Sequence, residues 1–336
     1  MHPALRPLPQ RWLYALKLAS WPKLLVPALL GQVLGAVAVD RVCWGGLALG
    51  LAFTLCQLIF IVLLNDWGDV EVDTLKRRMF PSGGSPKTIP DGVLHAQSLW
   101  LAGVGAAVMA IAVGLCGELA LGRSGLMLGA VVCVTLFWSY SFPPLRMNYR
   151  GGGEFLEMAG VGLAIPWFNA YAQSGDMAPE PLLAVLPGLW MLTLAGAIAS
   201  GLSDEQSDRR GGKVTYVTEY GNAAARAAIE NLVIAAALLW SFASRLAPDL
   251  LPPIIATPAV VVMLLCWREL VAHSVRAGTN QFAAIARYKQ WLRSLCWGGM
   301  LTMAGGFVLF ELIARLDLQA ILAAAFSFVF GFGCVP

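Results

Sequence analysis

Charge is scarce in this sequence. Only 13% of its 336 residues are charged and 58% are hydrophobic, with a mean hydropathy of +0.69. Soluble domains carry roughly 25% charged residues. Such a chain lacks the polar groups to cover a surface facing water, which leaves lipid as its solvent. Paired cysteines are also missing. The seven cysteines (Cys43, Cys56, Cys116, Cys133, Cys266, Cys296 and Cys334) form no CxxC unit and fall mostly inside apolar runs, so they read as buried thiols. Three histidines, His2, His95 and His273, show no ligand spacing, which argues against a transition-metal centre. No cleavable signal pattern is evident: the start, Met1 to Gln10, is Pro-rich with Arg6 and leads into no short apolar core with a small-residue cleavage site. The net charge of +3 says little until its placement is known.

What the chain has in abundance is apolar runs. A bilayer core needs roughly 20 apolar residues per helix. Such runs recur at 20–40, 43–64, 95–117, 123–141, 154–173, 181–202, 223–244, 250–271, 293–314 and 318–334. The expected fold is an all-α polytopic membrane helix bundle of nine transmembrane helices in a single domain over 1–336. The tenth, C-terminal apolar run is short and Gly-rich, and it spans, re-enters or lies at the surface. Nineteen of the 23 Lys and Arg fall in the N-terminal segment or in the even-numbered connections, and four (Arg41, Arg123, Arg245 and Arg315) fall opposite. That asymmetry places the N-terminal segment 1–19 and the active-site loops 65–94 and 203–222 in the cytoplasm, with the protein in an inner or plasma membrane. Long loops on one face of a rigid scaffold are where chemistry usually sits.

Two acidic clusters mark that face. The second run ends in Asn65-Asp66-Trp67-Gly68-Asp69-Val70-Glu71-Val72-Asp73, which puts Asp66, Asp69 and Asp73 on one face if the helix continues. The sixth run ends in Asp204-Glu205-Gln206-Ser207-Asp208 and runs on to Gly211-Gly212-Lys213-Val214-Thr215. The clusters superpose at an offset of 135 residues, pairing Asp69 with Asp204, Asp73 with Asp208, Asn65 with Ser200 and Arg78 with Lys213. We read this as two pseudo-repeated four-helix halves whose acids face one cavity. Crowded carboxylates at a membrane edge call for a cation. Their hard oxygens suit Mg²⁺, which shares its shell with substrate phosphates. Lys213, Arg146, Arg78 and Lys76 are available to balance a diphosphate.

The pattern Asn65-Asp66-x-x-Asp69-x-x-x-Asp73, with Asp204-x-x-x-Asp208 and Gly212-Lys213-x-Thr215, resembles the two signature motifs of the UbiA superfamily of intramembrane prenyltransferases. Tyr140-Ser141-Phe142-Pro143-Pro144-Leu145-Arg146 is similar to a Tyr-Ser-x-Pro-Pro-Leu-Lys/Arg segment of several members. Tyr149-Arg150-Gly151-Gly152-Gly153-Glu154 is similar to a segment of the menaquinone-pathway dihydroxynaphthoate branch. The chain departs from the family at Arg77-Arg78-Met79-Phe80-Pro81-Ser82-Gly83, where many members carry Asn-Arg-Pro-Ile-Pro-Ser-Gly.

The resemblance implies transfer of a polyprenyl group from its diphosphate to an aromatic acceptor. Asp66, Asp69, Asp73, Asp204 and Asp208 are then the metal ligands. Asn65, Tyr140 and Lys213 are the catalytic candidates, and Arg78, Arg146, Arg150 and Glu154 the substrate-binding ones. Membrane lipid is an expected partner and nucleic acid is not. Homogentisate, hydroxybenzoate and chlorophyllide remain open as acceptors, as does cyclisation of the donor. A cation-coupled transporter is the remote rival, since its acids would sit near the midplane on broken helices.

Overall fold

The computed structural model describes residues 2–81 and 86–315, and every regular element among them is helical. The order is α1 (Leu8–Leu16), α2 (Pro22–Ala38), α3 (Trp44–Gly68), α4 (Val70–Met79), α5 (Ala96–Leu121), α6 (Leu126–Ser141), α7 (Gly153–Ala159), α8 (Ile165–Ser174), α9 (Glu180–Gly201), α10 (Glu205–Arg210), α11 (Tyr216–Leu246), α12 (Pro253–Ser274) and α13 (Phe282–Arg315). A single π turn, Gly160–Ala164, joins α7 to α8.

Six or seven of the nine expected spans are long and apolar as single helices. Among the described residues six helices (α3, α5, α9, α11, α12 and α13) are long and apolar enough to cross a membrane; counting α1 with α2, bent by 60°, makes seven. Two runs fall short for local reasons. The fourth run forms α6, only 16 residues long. The fifth is divided by its π turn, where Pro166 has no N–H to offer the carbonyl of Gly162 and its ring crowds that carbonyl. The tenth run lies outside the described residues.

Small residues let the helices approach closely. A Cβ at Gly31 would lie 2.2 Å from the carbonyl oxygen of Pro166, and one at Gly35 2.4 Å from that of Ala170. Both seat α2 directly on α8, the small-residue contact typical of membrane helices. A Cβ at Gly50 would lie 1.9 Å from Nε2 of Gln32, so this glycine makes room for the Gln32 amide to donate to Asn169 at 2.8 Å. Asn169 in turn donates to Thr54 at 3.2 Å, the interhelical role its sequence position suggests. Gln57 is buried with no side-chain partner among the described residues.

The close α2–α8 contact sets a testable contrast. Alanine is favoured over glycine in a helix by about 1 kcal/mol. Gly35→Ala, however, forces a backbone shift, and overpacking costs about 1–3 kcal/mol. Gly35→Ala should therefore lower the thermal midpoint in detergent, whereas Gly105→Ala, whose Cβ meets nothing within 4 Å, should leave it unchanged or raise it.

Candidate active site

Each acidic cluster begins where a spanning helix breaks. At Asp69 (φ −99°, ψ 9°) α3 gives way to α4, and at Asp204 (φ −117°, ψ 0°) the segment after α9 gives way to α10. Hydrogen bonding continues across each break, with the Asp73 amide donating to the Asp69 carbonyl and the Asp208 amide to the Asp204 carbonyl, both at 2.8 Å. Positions 135 residues apart therefore share one local geometry. Gly211 lets the two short helices touch, because a Cβ there would lie 2.6 Å from the Val72 side chain on α4.

Lys213 binds the clusters together. Gly212, in the left-handed region at φ 76°, turns the chain so that the Lys213 amide reaches the Asp208 carbonyl at 2.9 Å. The following turn is fixed by Thr215, which caps α11 through a reciprocal pair with Thr218. The ammonium lies 2.8 Å from Oδ2 of Asp69 and 4.0 Å from Oδ1 of Asp208. Burial works against this charge, but the Asp69 and Asp208 carboxylates override it and hold the lysine above its ordinary range.

The other acids are engaged in the same way. Asp66 pairs with Lys17 and accepts from the Thr88 hydroxyl at 2.5 Å, Asp73 pairs with Lys87, and Asp204 pairs with Lys76. Asn65 donates to Asp69 at 3.1 Å, which fixes that carboxylate from one turn back. Segment 86–93, which carries Lys87 and Thr88, is strapped down by Asp91. That carboxylate accepts from Arg77 at 2.6 and 2.9 Å and from the Tyr14 hydroxyl at 2.6 Å. Burial opposes the Asp91 charge, but these donors hold its carboxyl down to about 2. Lys23 pairs with Glu157 and donates to Ser200 at 3.2 Å, and Lys289 reaches Ser203 Oγ at 3.3 Å.

The donor set fits Mg²⁺. It is all hard oxygen, and its charges are under strain. Burial, with Asp69 adding repulsion against the pull of Lys213, pushes Asp208 up to about 6. Burial also raises Asp73 despite Lys87, with Asp69 and Asp66 adding to the effect. A divalent cation relieves that repulsion. Among the described residues no group of three carboxylates is arranged as a closed metal cage. Mg²⁺ needs none, because it commonly binds through one or two carboxylates with waters and phosphates completing its shell.

The remaining candidates lie at varied distances from this core. Tyr140 lies in the last turn of α6, and the charged groups acting on it are Glu157, Lys213, Asp69 and Glu154. The guanidinium of Arg146 stacks 3.7 Å from the Tyr149 ring, whose other neighbour is the Lys213 ammonium at 5.8 Å. Glu154 accepts from the amide of Tyr216 at 2.7 Å, so its observed work is to cap the first turn of α11. Arg78 and Arg150 are exposed and make no ion pair with a described residue. Of the α4 cations it is Lys76, 1% exposed, that meets the second cluster, and it also donates to the Ser203 carbonyl at 3.0 Å. Burial, with Lys87 and Lys289 nearby, pulls Lys76 down to about 7. Nothing in the sequence marks Lys17, Lys87 or Thr88 as site residues. In the sequence the two lysines count only as cytoplasmic charges, and Thr88 carries no signal of its own.

The chain matches the UbiA prenyltransferase family over residues 24–292. It belongs to that family. Among its relatives it is 27% identical over 232 residues to 1,4-dihydroxy-2-naphthoate octaprenyltransferase of Mycobacterium leprae, covering 68% of this chain and 76% of the relative. It is 24% identical over 236 residues to chloroplastic chlorophyll synthase of Arabidopsis thaliana, covering 64% of this chain and 56%, about half, of that relative's length. The fold is shared with a UbiA homologue of Archaeoglobus fulgidus bound to DMAPP and Mg²⁺, at TM-score 0.64 and 15% identity over 87% of this chain and 99% of the other.

Proposed function

We propose that the chain transfers a polyprenyl group from an allylic diphosphate to an aromatic quinone precursor in a Mg²⁺-dependent reaction, with a dihydroxynaphthoate-like acid as the favoured acceptor. The observation that carries this reading is Lys213, whose ammonium lies between Asp69 and Asp208 and so draws two motifs 135 residues apart into one site. The family supports the reading, as do the octaprenyltransferase relative and the Mg²⁺ and DMAPP of the structural neighbour. Nine spans, with the N-terminus and the acids facing the cytoplasm, belong to the same proposal.

Asp66, Asp69, Asp73, Asp204 and Asp208 are the residues that would hold the metal. When bound, Mg²⁺ offsets the charge that builds on the departing diphosphate. Asn65 keeps the Asp69 carboxylate turned toward Lys213. Lys213, Lys76 and Lys87 can move their hydrogen bonds from carboxylate to phosphate oxygens as the diphosphate arrives. Lys23 and Lys289, which already rest in part on serine oxygens, extend the positive wall. The allylic C–O bond breaks with its electron pair going to diphosphate. An electron-rich ring carbon of the acceptor then forms the new C–C bond and loses its proton. Tyr140, on which the charges of Lys213 and Asp69 act, would turn its hydroxyl toward that centre. Arg146 is the acceptor-side cation, Arg78 and Arg150 lie on the exposed rim, and Glu154 supports the loop through α11.

The test is to incubate the solubilised protein with Mg²⁺, geranylgeranyl diphosphate and a panel of aromatic acids, and to read products by mass spectrometry. A prenylated acid that disappears on adding EDTA is the expected result. Cyclised hydrocarbon without an adduct would reassign the chain to isoprenoid cyclisation. Failure to turn over or bind any prenyl diphosphate would overturn the proposal.

A further inference from the structure

The first 20 residues carry three cations, Arg6, Arg11 and Lys17, and no acid. Two of those cations are turned into the protein. On α1, Arg11 donates through Nε to the Val93 carbonyl at 2.5 Å, and Lys17, just past the helix, pairs with Asp66. Between them the Tyr14 hydroxyl donates to Asp91 at 2.6 Å. Ala15 is fully buried in one cluster with Leu63, Val93, Leu94 and Leu99. One side of α1 is therefore fixed to segment 86–93, whose Lys87 and Thr88 meet Asp73 and Asp66.

The other side of α1 is open and apolar. Leu13 is 52% exposed and shares its face with Pro9, one turn earlier. Leu8, at the helix start, is 58% exposed, and Leu5 and Leu18 beyond its ends are exposed as well. A helix facing water would show the reverse pattern, with charge outward and leucine inward. The hydrocarbon core is not the place for α1 either. It meets α2 at 60°, and α2, 17 residues or about 26 Å long, by itself covers most of a core of about 30 Å. The bend sets α1 across the end of that span, at headgroup depth. Trp12, Tyr14 and Trp21 are ring types favoured in that layer. Trp21 also fixes the bend, donating from Nε1 to the Leu16 carbonyl at 2.8 Å. Arg6, the remaining cation, is exposed.

We propose that α1 is a membrane-interface helix whose contact with a phospholipid layer holds segment 86–93 over the acid motifs. Leu8 and Leu13 enter the boundary between headgroups and acyl chains, and Arg6 meets anionic headgroups. An ordinary interfacial helix turns its polar face to water. Here Arg11, Tyr14 and Lys17 turn that face to the protein instead, so the lipid that seats α1 also seats the segment bearing Lys87 and Thr88. The competing occupant of the apolar side is a second copy of the chain. Continuity of α1 with α2, and a stretch of 20 residues with cations and no acid, favour lipid. The proposal goes beyond the prenyl-transfer reading and needs neither metal nor diphosphate.

Two readouts test it on the full-length protein in vesicles of phosphatidylcholine and phosphatidylglycerol. In the first, Leu13→p-benzoylphenylalanine is irradiated and its adduct identified by mass spectrometry. A phospholipid adduct is expected. The second is amide hydrogen exchange. Leu8→Glu combined with Leu13→Glu, both at exposed positions, should speed exchange over 86–93 by about tenfold. Tyr14→Phe cuts one tether, so it should also speed exchange there while the lipid adduct at position 13 persists. An adduct with a second copy of the chain, no phospholipid adduct, or unchanged exchange over 86–93 in the double variant would overturn the proposal. Neither readout involves turnover. A protein that meets both and transfers no prenyl group would strike the proposed reaction alone and leave the interface helix standing.

Discussion

Asp69→Asn is expected to lower kcat/KM for prenyl transfer by about 10³-fold, because a metal-held anion contributes several kcal/mol to the developing charge and each 1.4 kcal/mol is tenfold. The substitution keeps the shape of the side chain. It removes no helix cap, since Asp69 makes no side-chain capping bond to α4. It does take away the charge opposite the buried Lys213 ammonium, which lowers stability as well, so turnover should be compared at a temperature where the variant is still folded. Asp208→Asn should behave alike if both motifs serve one site. Asn65→Ala touches only the Asp69 carboxylate among these acids, so it should cost about tenfold, as loss of an outer-shell partner does. Steady-state kinetics on the three variants give this ordering directly. Normal turnover in either Asp variant would remove the motifs from the chemistry.

Lys213→Met separates two roles that a simple loss of activity would blur. The ammonium lies among carboxylates, so removing it makes the cluster more negative. Mg²⁺ should then bind more tightly. The same change removes a buried donor that is aimed at the departing diphosphate, and loss of one such donor typically costs about 10²–10³ in kcat. The expected pattern is a lower Mg²⁺ half-saturation together with turnover reduced about 10²-fold. A lysine that merely glued the fold together would give weaker metal binding and a lower thermal midpoint in parallel. Removing one partner of a buried pair can cost about 3–5 kcal/mol, so activity should be compared at a temperature where the variant is still folded. Lys213→Arg keeps the charge and should restore part of the turnover.

The acid motifs could be read in the sequence because their spacing is itself structural. Positions i, i+3 or i+4 and i+7 share a helix face whatever surrounds them, and the 135-residue offset pairs the two helix breaks at Asp69 and Asp204, whose backbone angles agree. The partners of those acids could not be read in this way. Lys17, Lys76 and Lys87 sit in segments between apolar runs, where a lysine normally marks topology, and only the fold turns them inward onto Asp66, Asp204 and Asp73. Arg78 shows the converse: it aligns with Lys213 in the repeat, yet it points outward from α4. Glu154 is marked in the sequence only by its motif, whereas the fold shows its Oε1 accepting from the first turn of α11. The spans are less plain where composition and local geometry part company. Apolar content predicts a fifth span, but Gly160, Gly162 and Pro166 resolve the run into two short helices around a π turn.

The central claim is that both acid motifs hold one diphosphate through shared metal. Binding of a non-reactive prenyl thiolodiphosphate, titrated with and without Mg²⁺ on the wild type and on Asp69→Asn and Asp208→Asn, tests it most directly. Mg²⁺-dependent binding to the wild type and comparable loss of that binding in both variants are expected. Binding that survives EDTA, or that is lost in one variant and intact in the other, would contradict it.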